Sequence, residues 1–233
     1  MSKVAIISDI HANIYAFSSV MEIINKKNID HIIVAGDIVG YYYWPDKVIK
    51  KIMMDSRFHC IKGNHDSLLE NIYKNKDQMK KYKKKFGSSY QITLEKLDAN
   101  QLNWLFNLPK ELDLKIDNQT FSIRHGSILS EEEYIYPDST SDKLLNNYSH
   151  SKYTIFGHTH YPFIHTNKNK ILINPGSVGQ PRDYGDLASF AITDTSNSTI
   201  VFYRAKFPTN PIKKEVFKVD SDLPYLYEVL ERK

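Results

Sequence analysis

Short apolar runs alternate with amphipathic stretches through the first quarter of the chain. The apolar runs have the length of buried strands, and between them apolar residues recur at the three- and four-residue spacing of a helix. The predicted elements are strands at Val4–Ile7, His31–Ala35 and Phe58–Lys62, and helices at Asn13–Lys27 and Asp46–Asp55. This order is typical of βαβ units, in which parallel strands carry helices on their faces, and it predicts an α/β fold.

The pattern changes to helix alone between Asp66 and Leu108. This stretch lacks a strand signal, contains the lysine-rich segment Lys74–Lys85 and two further amphipathic segments, and ends at Pro109. A helix boundary is expected there, because proline cannot continue a helix. We therefore predict a single domain over residues 1–233 with a helical insertion at residues 66–108.

Strand patterns dominate from Glu111 onward. The turn residues Asp117 and Asn118 lie between two of these patterns and predict a hairpin. The predicted strands are Glu111–Ile116, Thr120–Arg124, Tyr153–Phe156, Phe163–His165, Ile171–Ile173, Ala188–Thr193 and Ser198–Ala205, with a short helix at Ser141–Tyr148. The last apolar segment, Leu223–Leu230, is predicted to be a helix or a loosely docked tail.

The composition restricts the classes of protein to which the chain can belong. Its 233 residues are 41% hydrophobic, which fills a sizeable core and excludes an intrinsically disordered protein. The formal net charge of +4 only weakly favours an anionic partner. The single cysteine, Cys60, excludes an internal disulfide. No stretch approaches the roughly 20 apolar residues of a membrane span and no signal peptide is recognised, so we expect a cytoplasmic protein with no membrane partner.

Five short clusters of metal-binding side chains occur at the ends of apolar runs. They are Ser8-Asp9-Ile10-His11, Gly36-Asp37-Ile38-Val39-Gly40, Gly63-Asn64-His65-Asp66, Arg124-His125-Gly126 and Gly157-His158-Thr159-His160. An α/β sheet presents its functional groups at the ends of strands, so we expect the five clusters to meet at one edge. One cluster alone is a weak signal, whereas five in series are a specific one.

The donor atoms in these clusters suit two divalent cations. Asp9 and His11 lie two residues apart and would face the same way on an extended strand. Asp37 has two carboxylate oxygens and can bridge two ions. The remaining ligand candidates, one amide oxygen and three imidazoles, are on Asn64, His125, His158 and His160. This mixed set of nitrogen and oxygen donors favours Mn, with Fe, Ni or Zn as alternatives, over Mg or Ca, which prefer oxygen ligands.

Two further residues of the clusters are candidates for catalysis. Enzymes commonly use two cations about 4 Å apart to catalyse the attack of water on a phosphate ester. We assign His65 to the substrate side, where an imidazolium donates to a phosphate oxygen or to the leaving group. Asp66 is assigned to orient or charge-stabilise His65, and the alternative is that it caps the following helix.

Three residues are candidates for contacts with the substrate. Tyr41 begins the aromatic loop Tyr41–Trp44, which either stacks on a base or another flat leaving group or packs against the helical insertion. Arg182 either clamps a phosphate through two hydrogen bonds or pairs with a neighbouring aspartate. Asn13 either contacts a phosphate oxygen or caps the first helix.

The order of the clusters resembles that of the calcineurin-like metallophosphoesterase superfamily, from residue 4 to about residue 195. The compact bacterial and archaeal phosphodiesterase-type members have sequence motifs similar to Ser8–Asn13, Gly36–Tyr41 and Asn174–Arg182. The resemblance implies a four-layer αββα sandwich, with two mixed β-sheets flanked by helices. It also implies that one metal is held by Asp9, His11, Asp37 and His160, and a second by Asp37, Asn64, His125 and His158.

Departures from the family pattern narrow the expected substrate. Protein serine/threonine phosphatases of this superfamily have Asp-Arg where this chain has Gly40 and Tyr41, which counts against that class. We expect a hydrolase that attacks a phosphate ester with hydroxide bound to two divalent metals, with phosphodiesters favoured. The expected partner is a phosphorylated small molecule or a nucleotide.

Two alternative enzymes stay open. One is a phosphomonoesterase that acts on nucleotides or proteins, and the other is a nuclease that binds RNA or DNA ends through Lys74–Lys85. A non-catalytic scaffold is disfavoured, because no expected metal ligand is missing from the chain. The oligomeric state and the metal used in the cell are left open.

Overall fold

Ten strands and nine α-helices form the protein in the computed structural model, which describes residues 1–233. The strands are β1 (Lys3–Ile7), β2 (His31–Val34), β3 (Phe58–Cys60), β4 (Leu112–Ile116), β5 (Gln119–Ile123), β6 (Tyr153–Ile155), β7 (Phe163–Asn167), β8 (Lys170–Asn174), β9 (Leu187–Asp194) and β10 (Ile200–Lys206). The helices are α1 (Ile14–Lys26), α2 (Pro45–Met53), α3 (Asn64–Lys74), α4 (Met79–Phe86), α5 (Ser89–Lys96), α6 (Ala99–Phe106), α7 (Ser141–Leu145), α8 (Asn210–Val219) and α9 (Tyr225–Glu228). Short 3₁₀ helices cover Lys76–Gln78 and Val229–Glu231.

The strands form two mixed sheets of five strands each. The first has the order β10-β9-β1-β2-β3 and the second the order β4-β5-β6-β8-β7. In the first sheet β1, β2 and β3 are parallel, with Val4 opposite His31, while β9 runs antiparallel to its two neighbours, β1 and β10. In the second sheet β5, β6 and β8 are parallel, and β4 and β7 are antiparallel edge strands. Each sheet therefore contains three parallel strands whose carboxyl ends point the same way.

The alternation of side chains along β1 and β2 explains the layers. Val4, Ile6 and Ile33 point to one face of the first sheet, where they pack with Phe121 and Ile155 of the second sheet. The intervening residues point to the opposite face and share a larger core with α1, α2 and α8.

The outer face of the second sheet carries a thinner layer. Phe156 and Leu172 pack there against Leu144 of α7 and against Ile135. The arrangement is the expected αββα sandwich of two mixed sheets flanked by helices.

The predicted helical insertion consists of α3 to α6 and one 3₁₀ turn. Its first helix begins at Asn64, two residues before the predicted boundary. Tyr90, Leu97 and Leu105 from these helices are buried in the same core as α1 and α2. The single-domain organisation stays a prediction.

Sequence reasoning missed helix α8. Pro211 in its first turn, together with Ile212 and Val216 four residues apart on a buried face, was the available signal. The tail at Leu223–Leu230 is helical in α9, and Leu226 is buried. No helix in the structure combines the length and the apolar character that crossing a membrane requires.

Candidate metal centre

All seven predicted metal ligands lie beyond the carboxyl ends of parallel strands, and the structure brings them together. The first sheet contributes Asp9, His11, Asp37 and Asn64, and the second contributes His125, His158 and His160. Because the two sheets pack face to face with these ends on one side, loops far apart in sequence converge there.

The first group of ligand atoms consists of Asp9, His11 and His160, all fully or almost fully buried. The Nε2 atoms of the two histidines are 3.1 Å apart, and Asp9 Oδ1 lies 3.3 Å from Nε2 of His160. Asp9 Oδ1 is also 3.8 Å from Nε2 of His11. Three donor atoms therefore surround one small volume.

The second group consists of Asp37, His125 and His158. Asp37 Oδ2 lies 3.2 Å from Nε2 of His125, and the same nitrogen lies 3.0 Å from Asn64 Oδ1. Asp37 Oδ2 is also 3.8 Å from Nε2 of His11 in the first group. Asp37 therefore lies between the two groups, as a bridging ligand must.

Backbone carbonyl groups fix the orientation of three imidazoles. In His11, His125 and His160, Nδ1 lies 3.1, 2.7 and 2.7 Å from a backbone carbonyl oxygen. A carbonyl oxygen can only accept, so Nδ1 donates and Nε2 of the neutral ring presents a lone pair to the site. The facing Nε2 atoms of His11 and His160 then cannot bond to each other, whereas a cation between them would bind both. Nε2 of His158 is buried without a partner, which fits the same role.

Burial and charge separate the pKa values of these histidines. Burial lowers the pKa of His11 well below its ordinary value and that of His158 to about 4. Burial also acts to lower the pKa of His125, but the charge and hydrogen bond of Asp37 outweigh it and raise that pKa to about 10. Since a ligating imidazole must be neutral, metal binding at His125 displaces a proton.

The backbone at the site is strained. Five of the seven ligands have a positive φ, between 50° and 66°: Asp9, His11, Asp37, His158 and His160. Such φ values are costly for residues with a side chain, and they cluster at functional sites where the surrounding structure imposes them. The strand ends bend sharply here and turn both carboxylates and three imidazoles inward.

Two glycines allow the close approach of the loops. A Cβ at Gly63 would lie 2.2 Å from Asp37 Oδ1, and one at Gly36, where φ is +93°, would lie 2.6 Å from Nδ1 of His125. No larger residue fits at either position without moving a ligand.

His65 lies beside the metal ligands and is held by a residue that sequence reasoning missed. Its Nδ1 is 2.6 Å from the hydroxyl of Tyr90 in α5, and its backbone N–H donates to Asp37 Oδ1 at 2.8 Å. Burial raises the pKa of Tyr90 well above its ordinary value and lowers that of His65 to about 4. The ring of His65 is therefore a neutral imidazole, and not the imidazolium that the sequence predicted. Since an imidazole nitrogen accepts better than a phenol oxygen, Tyr90 donates to Nδ1 and the proton of His65 stays on Nε2.

The structure corrects the role assigned to Asp66. Its carboxylate accepts from the backbone N–H groups of Ile38, Val39 and Gly63 at 3.2, 3.0 and 2.9 Å, and it forms no hydrogen bond with the imidazole of His65. Burial, and then the charge of Asp37, raise the pKa of Asp66 to about 7, against the effect of these donors. Asp66 links the loop after β2, which contains Asp37, to the start of α3. This role is closer to the alternative prediction that Asp66 caps the following helix.

The structure also corrects the assignment of Asn13 to the substrate. Its side-chain oxygen accepts from Ala16 N at 3.1 Å, and its amide nitrogen donates to Gly179 O at 2.7 Å. Asn13 is fully buried, and both polar atoms of its side chain already have a partner in the chain. The residue caps α1 and anchors the loop that follows β8.

Only the first residue of the aromatic loop reaches the site. The Tyr41 ring lies 4.6 Å from the ring of His11 and 4.7 Å from that of His65. Tyr42 and Tyr43 are buried, and the Trp44 ring packs 5.0 Å from that of Tyr15. Burial raises the pKa of Tyr41 to about 12, although the adjacent guanidinium of Arg182 lowers it.

Arg182 has no carboxylate partner. Its two neighbouring aspartates bind elsewhere: Asp183 pairs with Arg204, and Asp186 lies 3.7 Å from Nζ of Lys206. A half-buried guanidinium beside Tyr41 is therefore free to bind an anion.

Comparison with known proteins agrees with this geometry. An uncharacterized protein of Methanocaldococcus jannaschii is 29% identical over 235 residues, which cover 93% of each chain. A metallophosphoesterase from Sphaerobacter thermophilus has a similar crystal structure, with a TM-score of 0.78, 27% identity and 98% coverage of each chain. A hypothetical protein from Pyrococcus horikoshii shares the fold, with a TM-score of 0.84, 21% identity, and coverage of 100% of this chain and 98% of that chain. Residues 2–198 match the calcineurin-like phosphoesterase superfamily domain, and the chain therefore belongs to this superfamily.

Proposed function

We propose that the protein hydrolyses a phosphodiester with the aid of two divalent cations held between its two sheets. Membership of the superfamily makes it a hydrolase of phosphate esters. The observation that carries the proposal is the pair of buried ligand groups with Asp37 between them. The similarity to a metallophosphoesterase at 27% identity supports it.

The ligands divide between the two cations as the geometry of the side chains suggests. Asp9, His11, Asp37 and His160 would hold the first cation, and Asp37, Asn64, His125 and His158 would hold the second. The four imidazoles and the oxygen donors favour Mn over Mg or Ca. When bound, two such cations polarise the phosphate oxygens and activate a water molecule as the nucleophile.

Two residues of the chain, each positioned by a tyrosine, act on the substrate in this proposal. His65 donates its Nε2–H to a phosphate oxygen, and the hydrogen bond from Tyr90 to Nδ1 keeps the proton on that nitrogen. Arg182 binds a second phosphate oxygen, and the Tyr41 hydroxyl beside it limits how far the guanidinium turns. These donors stabilise the charge that gathers on the phosphate in the transition state.

The preference for diesters is supported by the resemblance of Ser8–Asn13, Gly36–Tyr41 and Asn174–Arg182 to the motifs of compact phosphodiesterase-type members of the superfamily. Arg182, which has no carboxylate partner, would add its positive charge beside Tyr41 to the charge of the cations.

Hydrolysis of two model esters tests the proposal. Protein loaded with Mn²⁺ is assayed with bis(p-nitrophenyl) phosphate and with p-nitrophenyl phosphate, and chelator-treated protein is the control. We expect a higher kcat/KM for the diester and no turnover after chelation. A diester rate far below the monoester rate overturns the diester preference, and the absence of Mn²⁺-dependent turnover of either ester overturns the function.

A nuclease is the second candidate, favoured by the position of α4. Five exposed lysines lie on this helix, which ends at Phe86, and the ring of Phe86 packs 4.8 Å from that of His65. A basic helix that leads to the site would bind the backbone of a nucleic acid. The test is salt-dependent binding of single-stranded DNA and RNA to wild-type protein and to a variant with Lys80, Lys83 and Lys84 changed to alanine. Equal binding by the two proteins removes this candidate.

A further inference from the structure

A row of three tyrosine rings extends from a metal ligand toward the surface. The Tyr134 ring stacks on the ring of His158 at 4.0 Å and an interplanar angle of 19°. The Tyr136 ring lies 5.7 Å from that of Tyr134, at 10°, and the Tyr161 ring lies 6.2 Å from that of Tyr136. We call Tyr134, Tyr136 and Tyr161 the aromatic shelf.

The aromatic shelf is open to solvent. Tyr134 is 41% exposed, and the other two rings are half-buried. A cavity of about 440 Å³ lies beside the shelf and is lined by Tyr136, Pro137, Asp138 and Tyr161. Flat apolar faces with polar groups at the edge are what a ligand pocket for an aromatic ring requires.

The shelf is held in place by its own segment of the chain. Ile135, between two of the tyrosines, is 1% exposed and packs with Leu144 and Phe156 in the core beneath the second sheet. The backbone N–H of Tyr136 donates to Ser139 Oγ at 2.9 Å, and Ser139 N–H donates back to Tyr136 O. Since the anchoring residue points inward, the two tyrosines are turned outward without being needed for the core.

We propose that the aromatic shelf binds the base of a nucleotide, and that the phosphoester substrate of this protein is a nucleotide diester. The proposal rests on the proposed function of the metal centre. Every nucleobase has a flat face that stacks on aromatic side chains, which gives binding without a strict sequence requirement. In a nucleotide a sugar separates the base from the phosphate, and on the shelf two ring spacings, of 4.0 and 5.7 Å, separate the metal ligand His158 from Tyr136.

The groups around the shelf agree with a nucleotide as the occupant. Arg182 lines a cavity together with Tyr41, whose ring packs 4.6 Å from that of His11, and the charge of Arg182 acts to lower the pKa of Tyr134. The anion-binding group therefore lies at the end of the shelf nearest the metal ligands. Asp138 is at the far end, where its carboxylate can accept from an amino group of a base. Phosphate at one end and a hydrogen-bonding base at the other match the polarity of a nucleotide.

Binding of two phosphates that differ only by a base tests the proposal. Full-length protein loaded with Mn²⁺ is titrated with AMP and with ribose 5-phosphate in a calorimeter. We expect AMP to bind about tenfold more tightly, from the stacking of one base. In a variant with Tyr136→Ala and Tyr161→Ala the two ligands should bind alike, while Tyr136→Phe with Tyr161→Phe keeps the difference. Tyr73→Ala, a half-exposed tyrosine that packs against Phe106 in the insertion, is the matched control.

The outcomes separate this proposal from the proposed function. If AMP and ribose 5-phosphate bind wild-type protein with equal affinity, or neither binds, the aromatic shelf is not a base site, whatever the esterase assays show. If AMP binds more tightly through the shelf but no ester is hydrolysed, the base site stands and the proposed function fails. A difference that persists in the double alanine variant places the base elsewhere and overturns the assignment.

Discussion

Single atoms decide what each histidine of the site can do. The carbonyl oxygens beside Nδ1 of His11, His125 and His160 leave the other nitrogen free for a cation. In His65 the two ring nitrogens have the opposite roles, because the Tyr90 hydroxyl donates to Nδ1 and leaves the proton on Nε2. One residue type therefore serves as a metal ligand or as a hydrogen-bond donor, according to the partner of its second nitrogen.

Asp37→Asn tests the bridging position at the scale of one residue. The substitution keeps the shape but removes the charge that both ligand groups share, so we expect affinity for Mn²⁺ to fall more than about 10²-fold. Activity should be lost with the metal. Metal analysis after gel filtration measures the first effect, and Asp77→Asn in the exposed 3₁₀ turn is the control. Full retention of metal by the Asp37 variant would show that the carboxylate is not a ligand.

His65 and Tyr90 give a second residue-scale prediction. We expect His65→Ala to retain its metals and to lose about 10²-fold or more in kcat. Tyr90→Phe removes only the hydroxyl that holds the ring, so kcat should fall about tenfold, the size of one lost hydrogen bond, with KM unchanged. Nitrogen-15 NMR of the imidazole reports the tautomer, and we expect protonated Nε2 in wild-type protein and a mixture in Tyr90→Phe. A metal-free His65→Ala protein contradicts the assigned role.

At the scale of elements, one buried carboxylate joins three parts of the chain around the site. Asp220, at the end of α8, accepts from the Tyr43 hydroxyl at 2.8 Å and from both N–H and Oγ of Ser88. Gly87 makes room for it, since a Cβ there would lie 2.6 Å from the carboxylate. The aromatic loop, the start of α5 and the end of α8 are thereby fixed relative to each other.

Asp220→Ala measures the strength of this junction. Because the variant leaves several buried donors without a partner, we expect the free energy of unfolding to fall by about 2–4 kcal/mol. Urea denaturation followed by circular dichroism gives the value. Asp222→Ala, two residues away and exposed, should change stability by less than about 0.5 kcal/mol. Equal stabilities for the two variants would mean that the junction contributes nothing.

On the scale of the whole molecule, each ligand group takes residues from both sheets. His160 from the second sheet joins Asp9 and His11 from the first, while Asp37 from the first joins His125 and His158 from the second. A cation in either group would therefore link the two sheets directly. Binding to the folded state alone stabilises that state in proportion to the logarithm of the free metal concentration.

The melting temperature tests this linkage. With Mn²⁺ at about 100 times its Kd, stabilisation is about 2.7 kcal/mol, which for a domain of this size raises the Tm by about 5–10 °C over chelated protein. The rise should grow with Mn²⁺ concentration. Asp37→Asn, which lacks the shared ligand, should show little or none of it. A wild-type Tm that is identical with and without chelator argues against cations bound between the sheets.

The sequence by itself determined the elements and the chemistry of the metal ligands. Apolar runs of strand length and helical spacing predicted β1 to β3 and their helices within one or two residues at most ends, because these patterns reflect local burial. The strand-end positions of Asp9, Asp37 and His158 predicted a common edge, because parallel strands present their carboxyl ends together. Short motifs were sufficient here, since each ligand is defined by its own type and its place after a strand.

Only the tertiary structure decided which residues act on those ligands. Tyr90 of α5 contacts His65 of α3, Asn13 donates to Gly179, and Tyr134 stacks on His158 from the loop between β5 and β6. No periodicity encodes these contacts, because each depends on how layers pack rather than on spacing along one element. The sequence therefore identifies the residues whose atoms can bind metal. Packing determines the hydrogen-bond partner of the other ring nitrogen of each histidine, and the shape of the surface beside the ligands.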